Sequence, residues 1–229
     1  MERLRAARLY FVCEARPHGD DPGPLLGAAL RGGADVIQLR EKSPRCAEEL
    51  IAFSDPFRRA ADEHGALFVL NDRPDLVAAC GADGVHVGQD DMPVAEARWA
   101  GGPGTIVGLS THSPEQLEAV LGAEAQARPD QISVGPVWET PTKEGRPAAG
   151  LGLIELAARR AADLPWFAIG GIDEANVGEV AAAGARRAVV VRAIRDAADP
   201  EAAARVLRAA LEREPTGTRV LHDARRGDG

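Results

Sequence analysis

The chain has 229 residues, of which 27 are Lys or Arg and 35 are Asp or Glu, so its net charge is −8 at pH 7. An acidic chain without a basic stripe argues against a nucleic-acid-binding surface. Residues 1–15 are too charged for a signal peptide, and no apolar run is long enough to span a bilayer, so we predict a cytoplasmic protein without membrane contacts. The three cysteines, Cys13, Cys46 and Cys80, lack metal-ligand spacing and are predicted to be free thiols.

Eight β-rich runs recur along the chain, separated by segments rich in Ala, Leu, Glu and Arg that have helical character. The runs comprise residues 8–15, 36–40, 67–71, 84–88, 105–110, 131–135, 166–171 and 187–193. Strands that alternate with helices need crossover connections and form a parallel sheet. Eight such units in a chain of this length most economically close an α/β fold, the (β/α)8 TIM barrel. A doubly wound open sheet is the alternative, although no G-x-G-x-x-G opens a helix after the first strand.

The predicted strands and helices belong to a single domain. Helix starts are predicted at Ser43 before Pro44, at Ser113 before Pro114 and at Asp173 before Glu174. Residues 1–212 are assigned to one barrel domain. Residues 213–229 lack apolar periodicity and are predicted to be a flexible tail.

The second predicted strand ends in charged residues. Its residues Gln38, Arg40 and Lys42 recur at every second position, and alternate side chains of a strand point to the same face. An acidic chain must hold an anionic ligand with a local cationic cluster, for which Arg40 and Lys42 are candidates. In a barrel this cluster would lie at the carboxyl ends of the strands, where barrel enzymes carry their active sites.

Acidic side chains follow the third and fourth predicted strands. Asn71 and Asp72 end one strand, and Asp90 and Asp91 come shortly after the next. Mg²⁺ takes one or two carboxylates from a protein and completes its octahedron with water and substrate phosphates. Each pair alone is more simply interpreted as a helix cap or a solvated turn. Beside a cationic cluster, the two pairs together favour a site for a metal and a diphosphate.

Two further segments have the character of phosphate sites. Thr140, Thr142 and Lys143 lie in a loop rich in Pro and Gly, where hydroxyl groups and an ammonium can hold a phosphate, although an ordinary polar loop is the alternative. The glycines of residues 169–172 and the following residues 189–193 occupy the positions at which barrels bind phosphate, after strands 7 and 8.

The histidines do not indicate acid–base chemistry. We interpret His86, inside its strand, as a packed barrel residue, and His112 as either a site residue or a turn residue. The sequence reveals no Ser/His/Asp or Cys/His arrangement, and it identifies no residue as a nucleophile. Such a site suits a reaction in which a metal-bound diphosphate departs and a second, phosphorylated molecule attacks.

Six segments in order resemble the motifs of the thiamine-phosphate synthase family. They are QLREK (38–42), LNDRPDLV (70–77), GVHVGQDDMP (84–93), VGLSTHSPEQL (107–117), VGPVWETPTK (134–143) and AIGGI (168–172). The resemblance implies a (β/α)8 barrel that joins 4-amino-5-hydroxymethyl-2-methylpyrimidine diphosphate to a thiazole phosphate or to its carboxylated form. Thiamine phosphate and pyrophosphate are the implied products, and one Mg²⁺ per subunit is the implied cofactor. A homo-oligomer is compatible with the sequence.

The same resemblance assigns roles to individual residues. The implied pyrimidine diphosphate site comprises Gln38, Leu39, Arg40, Glu41, Lys42, Asn71, Ser110 and Lys143, of which Arg40, Lys42, Ser110 and Lys143 carry the catalytic roles. The implied thiazole phosphate site comprises Thr140, Pro141, Thr142, Gly171, Val191 and Arg192. Asp72 and Asp91 match the metal ligands, and Asp90 falls at a variable position.

One departure from the family pattern and two rival functions accompany this assignment. Arg192 stands where many members have a small hydroxyl residue. A thiazole tautomerase of the same fold would condense nothing and has no need of the QLREK cluster and the paired carboxylates. A non-catalytic barrel that senses thiazole phosphate would gain little from Mg²⁺. Pyrophosphate release in the presence of both substrates distinguishes these functions.

Overall fold

The computed structural model describes residues 1–41, 46–140 and 147–212, which contain a closed barrel of eight parallel strands. The strands are β1 (Leu9–Cys13), β2 (Val36–Leu39), β3 (Leu67–Asn71), β4 (Gly84–Val87), β5 (Ile106–Thr111), β6 (Gln131–Val134), β7 (Trp166–Ile169) and β8 (Ala188–Val190). Each strand pairs with the next in chain order, and β8 returns to pair with β1 through Tyr10 and Val189. This closure confirms the predicted (β/α)8 barrel and rules out the open doubly wound sheet.

Helices surround the barrel in every unit but one. They are α1 (Glu2–Ala6), α2 (Gly23–Arg31), α3 (Ala47–His64), α4 (Val94–Gly101), α5 (Pro114–Leu121), α6 (Gly150–Arg160), α7 (Val177–Ala182), α8 (Arg192–Arg195) and α9 (Pro200–Glu212). Between β3 and β4 the chain forms only a short 3₁₀ helix, Pro74–Leu76, and a second one, Pro17–Gly19, follows β1. None of the helices in these described ranges combines the length and the apolar character that a bilayer crossing demands.

The barrel interior has an apolar part and a polar part. The apolar part contains Val36, Leu67, Ile106, Phe167 and Val189, and Leu4 and Ala7 around helix α1 pack against it. The polar part contains the buried side chains of Gln38, His86, Ser110, Gln131 and Ser133. A second, larger apolar cluster fills the layer between the strands and the helices. Buried polar groups are stable only if they have hydrogen-bond partners. The polar part of the interior reaches the end of the barrel at which the active site is predicted.

The predicted element boundaries hold at some positions and are wrong at others. Ser113 caps α5 as predicted, because its hydroxyl oxygen accepts a hydrogen bond from the Gln116 N–H at 3.3 Å. Asp173 does not start a helix: its carboxylate accepts from the N–H groups of Ala175 and Asn176, which stabilises a turn, and α7 begins only at Val177. The eighth strand ends earlier than predicted, because Val191 leaves the extended conformation.

Two further boundaries concern residues outside the described ranges. The helix predicted to start at Ser43 and Pro44 is observed from Ala47, and Ser43 and Pro44 themselves lie outside the described residues. Helix α9 ends at Glu212, the predicted domain limit, and the predicted tail 213–229 also lies outside them, so the tail stays a prediction.

The cysteines are free thiols, as predicted, with Cys13 and Cys80 buried and Cys46 exposed. Burial raises the pKa of the Cys13 thiol to about 12. Because only the thiolate is a good nucleophile, Cys13 is a core residue and not a reactive one.

Candidate active site

A cavity of about 320 Å³ lies at the carboxyl ends of the strands and reaches into the polar part of the interior. Of the residues predicted for the site, Gln38, Arg40, Asn71, Ser110, Thr140, Gly171, Val191 and Arg192 line it. Tyr10, His86, His112 and Ser133 line it as well. The structure therefore brings together, in one cavity, residues as far apart in the chain as Tyr10 and Arg192.

A directional chain of hydrogen bonds crosses the floor of the cavity. The Tyr10 hydroxyl donates to Gln38 Oε1 at 2.7 Å, Gln38 Nε2 donates to Asn71 Oδ1 at 2.8 Å, and Asn71 Nδ2 donates to Asp72 Oδ2. Burial raises the pKa of the Tyr10 phenol, so that it remains a donor. Each amide is thus fixed in one orientation by its neighbours, which presents a defined pattern of donors and acceptors to the cavity.

Sequence reasoning missed Tyr10, although a signal was present. It is the single tyrosine of the chain and lies in an apolar strand, where its hydroxyl needs a buried partner. Its ring makes an edge-to-face contact with Phe167 at 5.5 Å between ring centroids. Tyr10 therefore holds the floor of the cavity both by packing and by its hydroxyl group.

His86 joins a second polar cluster on the floor. Gln131 Nε2 lies 3.0 Å from His86 Nδ1, and His86 Nε2 lies 3.0 Å from Ser110 Oγ and 3.4 Å from Ser133 Oγ. His86 is buried, as its interpretation as a barrel residue required, but it also lines the cavity. Gln131 was missed by sequence reasoning, because a glutamine at the start of a strand carries no local sign of burial.

His112, which the sequence left open, is half-buried at the cavity wall. Its Nδ1 donates to the Gly135 carbonyl oxygen at 2.6 Å, and its backbone N–H donates to Gln116 Oε1 at 2.7 Å. These contacts hold the imidazole between β5 and the loop after β6 and fix the proton on Nδ1.

Two cations line the cavity without an ion pair among the described residues: Arg40, after β2, and Arg192, at the start of α8. Two other residues implied for the diphosphate site lie elsewhere. Leu39 is buried between the barrel and the helices, and the Glu41 carboxylate accepts a hydrogen bond from the Ala15 N–H at 2.8 Å. Neither of their side chains lines the cavity. Lys42, Pro141, Thr142 and Lys143 lie outside the described residues.

The two carboxylates predicted to bind metal lie on neighbouring loops, because β3 and β4 are paired strands. Asp72 is an exposed residue with a φ of 59°, and its N–H donates to the His86 carbonyl oxygen at 2.9 Å. Asp91 is also exposed, and its Oδ2 accepts from the Gly88 N–H at 2.7 Å. The described residues contain no group of three or more His, Cys, Asp or Glu able to hold a metal. Two hard carboxylates nevertheless suit Mg²⁺, whose remaining ligands come from water and substrate.

The loop after β7 approaches the start of α8 at the opposite part of the rim. Gly171 has a φ of 69°, a conformation that a residue with a side chain rarely adopts. Asn176 holds the loop closed, because its side-chain nitrogen donates to the Gly171 carbonyl oxygen at 2.8 Å and its oxygen accepts from the Asp173 N–H at 2.9 Å. The N–H groups of Gly171 and Ala193 find no backbone acceptor in the described ranges. Asn176 also escaped sequence reasoning.

These features define the class of protein. A closed (β/α)8 barrel has here a cavity at the carboxyl ends of its strands, lined by polar side chains and by two cations that make no ion pair within the described ranges. This is the arrangement of a barrel enzyme that acts on a small molecule.

Comparison with known proteins identifies the family within this class. Residues 9–194 match the family model described as thiamine monophosphate synthase. The chain is 51% identical over 201 residues to the thiamine-phosphate synthase of Acidothermus cellulolyticus, covering 88% of this chain and 93% of that one. It is 49% identical over 216 residues to the thiamine-phosphate synthase of Mycobacterium sp. (strain KMS), covering 91% and 94% of the two chains.

A solved structure agrees with the sequence comparisons. The thiamine phosphate pyrophosphorylase from Pyrococcus furiosus superposes with a TM-score of 0.79 at 31% identity, and the match covers 93% of this chain and 98% of that one. The chain belongs to the thiamine monophosphate synthase family, and it is an enzyme of that kind, a transferase of thiamine biosynthesis. The resemblance found in the sequence is confirmed.

Proposed function

We propose that the enzyme condenses 4-amino-5-hydroxymethyl-2-methylpyrimidine diphosphate with 4-methyl-5-(2-phosphoethyl)thiazole to give thiamine phosphate and pyrophosphate. The carboxylated form of the thiazole would give the same products and release its carboxylate as carbon dioxide. The observation that carries this proposal is the position of two guanidinium groups, Arg40 and Arg192, at separate places around one cavity; neither makes an ion pair with any residue that the structure describes. Two anionic substrates need two such positions, whereas a barrel that binds thiazole phosphate alone needs one.

The diphosphate is assigned to the side of the cavity formed by β2 to β5. Arg40 would pair with its oxygens, together with Lys42 and Lys143. Gln38 and Asn71 would read the pyrimidine, because the chain that starts at Tyr10 orients both amides. Mg²⁺ held by Asp72 and Asp91 would supply charge neutralisation to the departing diphosphate.

The thiazole phosphate is assigned to the side formed by β7 and β8. The backbone N–H groups near Gly171 and Ala193 would bind the phosphate oxygens, supported by the Arg192 side chain and by Thr140 and Thr142. This is the position of the standard phosphate site of (β/α)8 barrels. Backbone donors would carry most of this contact, so a change of the side chain at position 192 is tolerated.

The proposed reaction is dissociative. The bond between the pyrimidine methylene carbon and the diphosphate oxygen breaks, and its electron pair leaves with pyrophosphate. The thiazole nitrogen then donates its lone pair to the methylene cation, which forms the new C–N bond. No proton is removed at either reacting atom, so this step needs no general base. The residues around the cavity would act by positioning and by electrostatic stabilisation of the leaving group.

A coupled pyrophosphate assay tests the proposal. Purified enzyme with both substrates and Mg²⁺ is expected to release pyrophosphate, and omission of either substrate or of Mg²⁺ is expected to stop the release. Release without the thiazole phosphate would indicate hydrolysis of the diphosphate. Conversion of the carboxylated thiazole without any pyrophosphate would instead identify a tautomerase.

A further inference from the structure

We infer that Gln131 is a positioning residue that acts through His86 to set the direction of the hydrogen bond made by Ser110. This inference rests on the proposed function, because it assigns a role to Ser110 toward a bound substrate. The three side chains are buried at 2%, 9% and 5% exposure, respectively, and they lie on β6, β4 and β5.

The hydrogen bond between Gln131 and His86 passes over an intervening strand. His86 pairs in register with Gly108 of β5, and Gly108 pairs in register with Gln131 of β6. A Cβ atom at position 108 would overlap both Gln131 Nε2 and His86 Nδ1. Glycine is therefore required there, because the gap that it leaves is the space in which the two side chains meet across β5.

The orientation of the Gln131 amide determines the position of the His86 proton. With Nε2 toward the imidazole, Gln131 donates to His86 Nδ1, and its Oε1 has no partner among the described residues. The reversed amide would instead leave a buried NH₂ group without an acceptor, and unpaired buried N–H groups are rarer in proteins than under-used carbonyl oxygens. Gln131 is thus the donor, Nδ1 is the acceptor, and the His86 proton lies on Nε2.

The His86 tautomer in turn decides what Ser110 offers to the cavity. The Nε2 proton is donated to Ser110 Oγ at 3.0 Å, with Ser133 Oγ as a more distant second acceptor at 3.4 Å. Ser110 accepts from His86 and does not donate to it, so its own proton is turned elsewhere. Because Ser110 lines the cavity, its hydroxyl can donate to an anionic oxygen or a ring nitrogen of the bound pyrimidine diphosphate.

The opposite tautomer would remove this donor. If Nδ1 carried the proton, Nε2 would be an acceptor and would take the Ser110 hydroxyl proton for itself. A variant that reverses the hydrogen bond between positions 131 and 86 should therefore weaken the function of Ser110 without touching the substrate. Gln131 does not line the cavity, so any effect on the reaction must pass through its neighbours.

The test uses Gln131→Glu, which has the same size and accepts a hydrogen bond in place of donating it. The tautomer is read from the ¹⁵N shifts of His86, assigned by comparison with His86→Gln. We expect the wild-type enzyme to carry the proton on Nε2 and Gln131→Glu to carry it on Nδ1. We expect kcat to fall about tenfold to hundredfold, as for the loss of one hydrogen bond to a charged group.

A double-mutant cycle separates positioning from a general structural effect. In a Ser110→Ala background, Gln131→Glu should lower kcat no further, because the hydroxyl through which it acts is gone. Gln131→Met, which removes the donor without adding charge, replaces the glutamate variant if that one does not fold, and is expected to yield a mixture of both tautomers. Gln126→Glu adds the same charge at an exposed position and should leave both the His86 shifts and kcat unchanged.

Two results would overturn the inference. The first is a wild-type enzyme in which His86 carries its proton on Nδ1. The second is a fall of kcat on Gln131→Glu that is equally large in the wild-type and in the Ser110→Ala backgrounds. If the wild-type enzyme releases no pyrophosphate, the proposed function fails, whereas the nitrogen shifts still decide whether Gln131 sets the tautomer of His86.

Discussion

Substitution of Tyr10 by Phe removes one hydroxyl group from the start of the hydrogen-bond chain across the cavity floor. Phe keeps the ring and its edge-to-face contact with Phe167, so no cavity forms. Gln38 Oε1 loses its donor at 2.7 Å and becomes an unsatisfied acceptor in a residue that is 4% exposed. Such a group costs about 1–3 kcal/mol. Gln38 lines the cavity, where water can reach it, so we expect the low end, about 1 kcal/mol of the free energy of unfolding.

The same substitution should weaken the binding of pyrimidine diphosphate. Without the Tyr10 hydroxyl, the Gln38 side-chain amide can adopt two orientations, of which only one donates to Asn71. Substrate binding must then select that orientation. Selection of one of two orientations costs about 0.4 kcal/mol, which corresponds to an affinity roughly twofold lower. The binding of thiazole phosphate, assigned to the other side of the cavity, should change little.

Urea unfolding and calorimetry with each ligand measure the two effects. A suitable control is Ser54→Ala, which removes a buried hydroxyl bonded to the Ile51 carbonyl oxygen at 2.7 Å in a residue that does not line the cavity. This control should lower stability by a similar amount and leave both affinities unchanged. The reasoning is refuted if Tyr10→Phe alters neither stability nor affinity, or if it weakens the binding of both ligands equally.

The remaining predictions concern the cations, the carboxylates and the loop after β7. Arg40→Gln should weaken the binding of pyrimidine diphosphate by about 1.5–3 kcal/mol in calorimetry, and an equal loss for thiazole phosphate would contradict separate sites. Asp91→Asn should lower pyrophosphate release by roughly two orders of magnitude while the fold, checked by circular dichroism, survives; full activity in EDTA would exclude the metal assignment. Arg192→Ser should raise the KM for thiazole phosphate about tenfold or less. Gly171→Val should do far more damage, because its φ of 69° disfavours a β-branched residue. The reverse order in steady-state kinetics would rule out a backbone phosphate site.

The sequence alone determined the strands and the end of the barrel at which the polar residues gather. Strand positions follow from local periodicity: seven of the eight predicted runs contain the observed strand, and the run 105–110 lacks only Thr111 of β5. The placement of Gln38 and Arg40 at one cavity follows from the alternation of side chains along a strand. The helix boundary at Asp173 was wrong, because Asp173 and Asn176 stabilise a turn by side-chain hydrogen bonds, which compete with a helix start for the same residues.

Only the tertiary structure decided which side chains build the floor of the cavity. Tyr10, His86 and Gln131 belong to strands that are distant in sequence, and each is a plausible core or surface residue by itself. Their contacts depend on the register between strands and on the pairing of β8 with β1, neither of which is encoded in any single segment. A closed barrel forces the inward side chains of all eight strands into one small volume, so a polar group there must find its partner on another strand.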